Sequence, residues 1–139
     1  MIRVVLDTNV VVSALISPFG NEALVIHAVQ IGSVVPCYSR AIADEYAGVL
    51  VRPKFSFAPN AIEGLLSLLT SAGEIVTPRR LRRLSPDPKD DAFIACAMAA
   101  NADFLVTGNK RHFPAGSYGS ARVVSARELI EYLNTPRCR

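Results

Sequence analysis

The start of the chain, Ile2-Arg3-Val4-Val5-Leu6-Asp7-Thr8-Asn9, constrains the fold most: a short run, apolar but for Arg3, that stops on a carboxylate. A run of that length, rich in β-branched residues and lacking a polar face, reads as a strand buried on both sides within a parallel sheet. Asp7 then stands where the strand leaves the core. Ligands bind open α/β sheets at the carboxyl ends of their strands, so Asp7 is the first candidate for chemistry.

The pattern continues as short strands alternating with helices. Val10 to Ile16 is apolar and breaks at Ser17-Pro18-Phe19-Gly20, after which Asn21-Glu22 is expected to cap a helix running to about Ile31, closed by Gly32. Val34-Val35 with Cys37 and Tyr38 makes a second strand, and Ser39 caps a helix from Arg40 to about Val51 that stops at Arg52-Pro53. Pro59 to about Ala72 is helical, with Ile62, Leu65, Leu66, Leu68 and Leu69 as its apolar face, and Glu74 to Val76 is a brief strand. Thr77 to Lys89 carries four arginines and three prolines and reads as a loop. Asp90-Asp91 opens a helix from Ala92 to about Asn101 that is apolar nearly all round and therefore buried. Phe104 to Val106 is a strand ending in Thr107-Gly108-Asn109; a turn-rich loop, a strand at Val123-Val124 and a capping box at Ser125-Ala126-Arg127-Glu128 complete the chain.

This alternation predicts a three-layer α/β/α sandwich on a central parallel sheet, one domain over residues 1–139. With 50% hydrophobic and 19% charged residues, disorder is excluded. The net charge of +3 favours an anionic partner without naming it. Cys37, Cys96 and Cys138 have no CxxC spacing, which argues against a disulfide framework or a zinc site and for a reducing compartment. Asp7 interrupts the N-terminal apolar stretch before it could serve as a signal core, and no segment is long enough for a membrane span, so a soluble cytoplasmic protein is expected.

Further acids can be weighed against Asp7. Glu45 lies three and four residues from Ile42 and Val49, on or beside the apolar stripe that they form with Tyr46 and Leu50. A carboxylate there needs a donor, a cation or a metal, unless it leans into solvent as its neighbour Asp44 does. Asp90 and Asp91 suit a helix N-terminus, where either alone would be ordinary, but two in succession leave one spare. Asp87 adds a third acid within five residues, a repulsion that a divalent cation would relieve. Thr107 and Asn109 offer a hydroxyl and an amide at another strand end. If the first strand and the Phe104 strand flank the reversal of strand order, these groups and Asp7 share one crevice.

The series Leu6-Asp7-Thr8-Asn9-Val10, Glu45-Tyr46-Ala47-Gly48-Val49-Leu50, Asp87-Pro88-Lys89-Asp90-Asp91-Ala92-Phe93 and Ala102 through Lys110 resembles the PIN-domain ribonucleases, in particular toxins of bacterial toxin–antitoxin pairs. The resemblance covers nearly the whole chain in order. It implies a PIN-like fold, cleavage of single-stranded RNA with Mg²⁺ or Mn²⁺, a cognate antitoxin and a homodimer. By position Asp7 and Glu45 match the first two acids of the family. The third falls on Asp90 or Asp91: the wording Asp-Ala-Phe-Ile-Ala favours Asp91, the spacing to Ala97 favours Asp90. At the fourth position the family often has Asp and this chain has Asn109, an oxygen ligand without charge. Asn9 and Thr107 support the site.

Phosphodiester hydrolysis requires neutralised phosphate charge, an activated nucleophile and a stabilised leaving oxygen, all of which a carboxylate-held Mg²⁺ can supply. Hard oxygen ligands select Mg²⁺ or Mn²⁺ over zinc. An acidic pocket repels RNA, so cations must hold the substrate, with Arg79, Arg80, Arg82, Arg83, Lys110 and Arg111 the candidates. His112 reads as structural. A dehalogenase-like phosphatase would need an acid where Asn9 stands, and a receiver domain would need an acidic pair after the first strand. A catalytically silent PIN fold that binds RNA or a protein partner is the remaining alternative.

Overall fold

The computed structural model describes residues 1–79 and 89–135. In chain order these form β1 (Ile2–Leu6), α1 (Thr8–Ile16), α2 (Asn21–Gln30), β2 (Val34–Tyr38), α3 (Arg40–Leu50), α4 (Pro59–Ala72), β3 (Glu74–Ile75), α5 (Asp91–Ala99), β4 (Phe104–Val106), β5 (Ser117–Tyr118), β6 (Ala121–Val124) and α6 (Ala126–Asn134), with single 3₁₀ turns at Pro53–Phe55 and Lys110–His112. The sheet order is β3-β2-β1-β4-β6-β5. It is the expected α/β/α sandwich, parallel from β3 to β6. The expectation of a purely parallel sheet fails only at the edge, where β5 runs antiparallel to β6. A tight hairpin suffices there, and Gly119, at φ +60°, supplies the backbone conformation that closes it.

β1 is central because its side chains can face nothing but core: Val4, Val5 and Leu6 are at most 1% exposed. Arg3, the exception, works at the opposite end from Asp7. Its Nε donates to the Ala100 carbonyl at 2.9 Å and its terminal nitrogens grip both Glu74 oxygens at 2.7 and 3.2 Å, tying β1 to β3 and to the end of α5.

From β1 the chain steps outward through β2 to β3, then returns to place β4 on the other side of β1. Strand order therefore reverses between β1 and β4, with Leu6 beside Val106 at their carboxyl ends. The crevice of the fold opens here.

One segment left without a type is resolved and one local expectation is corrected. The apolar segment Val10 to Ile16 belongs to α1, which begins at Thr8 without a loop because Asp7 is its N-cap. The N-cap of α2 is Gly20, with no side-chain hydrogen bond, so Asn21 and Glu22 are already helical and do not cap it. Ser39, accepting from the Ile42 N–H at 3.3 Å, and the Ser125–Glu128 capping box behave as their residue types require. Among the described residues, no single helix is long and apolar enough to cross a membrane.

Candidate active site

Asp7 is 6% exposed, and its backbone N–H donates to the Val106 carbonyl at 2.9 Å, continuing the β1–β4 ladder to the point where the strand ends. Its Oδ1 accepts from the Thr8 N–H at 2.8 Å and its Oδ2 from the wholly buried Thr107 hydroxyl at 2.7 Å. Burial raises the carboxyl above its ordinary value. Glu45 pushes the same way, while the Thr107 hydroxyl, the Thr8 N–H and His112 oppose it.

Glu45 is half-buried, and the hydroxyl of Thr8 donates to its Oε2. Thr8 therefore bridges the two acids, its N–H on Asp7 and its Oγ1 on Glu45. The register of α3 is fixed from one residue further on, where the buried Tyr46 donates its hydroxyl to the Leu6 carbonyl. Strand end and helix are thus held together at Glu45 and at the residue after it. Asp44 is exposed.

Across the crevice, Asn9 Oδ1 accepts the Gly108 N–H at 2.9 Å, joining the start of α1 to the turn after β4. Thr107 Oγ1 also accepts the Asn109 N–H at 3.0 Å. The Asn109 amide oxygen caps the following turn by accepting from the Arg111 N–H at 3.2 Å. Asp90 is 6% exposed and its Oδ2 lies 3.3 Å from His112 Nδ1. His112 is in turn close enough to act on Asp7, so Asp90 flanks the same region. Asp91 is half-buried in the first turn of α5.

Beside the acids a cleft of about 620 Å³ opens between α1 and α3, lined among others by Thr8, Asn9, Glu45, Arg52, Phe55 and Lys89. Sequence reasoning took Arg52 only as a helix stop and gave Phe55 no role; the packing of α3 against α1 gives them a common cavity with Glu45. Of the expected RNA-holding cations, Arg79 lines a separate cavity of about 340 Å³ with Ala95, Met98 and Ala99. Lys110 is paired with Glu128 of α6, and Arg111 is exposed on the turn after Asn109. Arg80, Arg82, Arg83, Asp87 and Cys138 lie outside the described residues.

Asp7, Glu45, Thr8 and Thr107 present hard oxygen donors, the chemistry that suits Mg²⁺ or Mn²⁺, with the His112 imidazole beside Asp90. A bound cation would offset both the burial that raises the Asp7 carboxyl and the smaller push from Glu45. Among the described residues no three His, Cys, Asp or Glu side chains are gathered closely enough to hold a metal ion between them. The assembled part is the Asp7–Thr8–Glu45 unit.

Comparison with known proteins accords with this topology. A protein-family model described as PIN domain matches residues 3–111, the span that carries every candidate acid. An uncharacterized protein of Methanocaldococcus jannaschii is 30% identical over 112 residues, 78% of this chain and 72% of that one. Among solved structures, a chain of VapBC2 from Rickettsia felis, bound to a DNA fragment from its promoter, is similar in fold, with a TM-score of 0.59 and 17% identity over 89% of this chain and 98% of the other. By the extent of the family match, this chain belongs to the PIN-domain family.

Proposed function

We propose that the chain is a Mg²⁺- or Mn²⁺-dependent endoribonuclease that cleaves single-stranded RNA at the Asp7–Glu45 crevice. The observation that carries the proposal is the Thr8 bridge, which holds two carboxylates side by side at the strand-order reversal. Asp7, Glu45 and one of Asp90 and Asp91, the two acids at the start of α5, would hold the ion. The ion, when bound, neutralises the scissile phosphate and lowers the pKa of water near it.

The chain's own part is orientation. Thr107 and the Thr8 N–H fix both Asp7 oxygens, the Thr8 hydroxyl fixes Glu45, and the Asn9–Gly108 bond holds the crevice walls together. Such outer partners turn flexible acids into a preformed receptor. Asn109 contributes no charge and its amide oxygen caps a turn, which supports a single-ion site. The same feature favours the second reading, a silent PIN fold that binds RNA or a protein.

We further propose a toxin role with an antitoxin partner, in line with the fold shared with a VapBC2 chain, and, as the family resemblance alone implies, a homodimer in the cytoplasm. Expression of the chain alone then slows growth. The test of the activity is incubation of purified protein with single-stranded RNA: cleavage in Mn²⁺, lost in chelator and in Asp7→Asn, supports the reading. Cleavage that persists in chelator contradicts it, and no cleavage under any condition favours the silent fold.

A further inference from the structure

We infer that the cleft between α1 and α3 is a nucleotide subsite, seating a base and phosphate of the RNA strand beside the scissile bond, and that Gly48 keeps it open. The identity of the ligand rests on the nuclease reading of the acids. The cleft is continuous with the site, since Thr8 and Glu45 line it. Its volume, about 620 Å³, lies in the range of small-molecule pockets.

Its wall is chemically divided. Val12, Val49 and Phe55 give an apolar side. The Phe55 ring is held against Phe57, centroids 5.2 Å apart and planes 6° apart, so little side-chain freedom remains to be lost when a base packs on it. Arg52 and Lys89, both exposed, also line the cleft, and the Lys54 ammonium lies 5.1 Å from the Phe55 ring centroid. Carboxylate, aromatic ring and cations in one cleft match a strand whose scissile phosphate is met through an ion while a neighbouring phosphate meets side chains.

Gly48 is the second, independent observation. It stands inside α3, where glycine costs about 1 kcal/mol relative to alanine. Neither packing nor backbone conformation demands it: a Cβ at this position would meet nothing within 4 Å, and its φ is not positive. It does line the cleft, so any longer side chain there would occupy the space the base needs. Gly64 of α4 is equally unconstrained but is not among the residues lining the cleft, which makes it a matched control.

The experiment measures binding of a fluorescein-labelled oligouridylate of about ten nucleotides to the full chain in chelator, so that cleavage plays no part. Gly48→Leu, whose folding is checked by its melting temperature, weakens binding about five-fold or more, and Gly64→Leu leaves it unchanged. Phe55→Leu weakens it comparably, and Arg52→Gln lowers the slope of log affinity against log salt by about one. An oligomer lacking bases loses the sensitivity to Gly48→Leu. If Gly48→Leu and Arg52→Gln, both folded, bind the RNA as the wild type does, or if the wild type binds none, the subsite is wrong and the cleft belongs to another class of partner. Base-dependent binding without any Mn²⁺-dependent cleavage would uphold the subsite while the nuclease reading failed. Cleavage lost in Asp7→Asn with binding indifferent to Gly48 would do the reverse.

Discussion

Replacing Thr107 with valine keeps the shape of a fully buried side chain and removes only the hydroxyl that serves the candidate site. That hydroxyl donates to Asp7 Oδ2 at 2.7 Å and accepts the Asn109 N–H at 3.0 Å. A hydrogen bond to a charged group contributes about 1.5–3 kcal/mol and a neutral one about 0.5–1.5 kcal/mol, so the loss comes to about 2–4.5 kcal/mol while Asp7 is ionised. With an unfolding entropy of about 2.1 cal/mol/K per residue, the melting temperature of a chain this long falls by about 7–15 °C.

The effect carries a pH signature. Burial raises the Asp7 carboxyl above its ordinary value, so the folded protein keeps this proton to higher pH than the unfolded chain does. The resulting stabilisation is complete below the unfolded value and is lost as pH rises through the raised one. Thr107 opposes the rise, and without it the carboxyl goes higher still. The gap between wild type and Thr107→Val therefore widens with pH across that window. Thermal melts followed by circular dichroism in chelator, at about pH 4 and about pH 8, measure it. A gap that is equal at both, or larger in acid, would refute the coupling of Thr107 to a buried ionised Asp7.

Two other outcomes follow from the geometry. Gly73→Ala places a Cβ 2.3 Å from the carbonyl oxygens of both Leu69 and Pro36, backbone atoms that cannot step aside, so it costs about 1–3 kcal/mol or more, read as a lower denaturant midpoint at unchanged slope. Of Asp90→Asn and Asp91→Asn, the one that abolishes metal-dependent cleavage identifies the third ligand, and Asp90→Asn, at a buried side chain against His112, also lowers the melting temperature; cleavage retained in both removes the start of α5 from the site.

Much of the fold was legible because local chemistry and tertiary context agree. β1 has no polar face and can only be central, Ser39 and Ser125 cap where their hydroxyls suggest, and α4 carries its apolar stripe between a proline and a glycine. α1 was not legible as a helix, because its valines favour strand and Val10, Val11 and Val12 are all buried, which erases the helical stripe. β5 has only two residues and leaves no period to read.

At the site, a carboxylate ending a buried strand and another beside a helix stripe announced themselves. The donor that Glu45 requires proved to be the hydroxyl of Thr8, thirty-seven residues away in sequence, and no spacing rule reports such a contact. Arg52 and Phe55 escaped for the same reason: an arginine before a proline reads locally as a helix stop, and its place in the lining of a cleft exists only once α3 lies on α1.

The claim on which the function depends is that Asp7 and Glu45, joined through Thr8, form the preassembled part of a divalent-ion site. Titration of Mn²⁺ into the full chain, followed by loss of the free-ion electron paramagnetic resonance signal, tests it without RNA and without turnover. The account predicts one ion per chain, an affinity about 10- to 100-fold weaker in Thr8→Val, where only a supporting donor is lost, and a larger loss in Asp7→Asn. Wild type and Asp7→Asn binding Mn²⁺ equally well would contradict it.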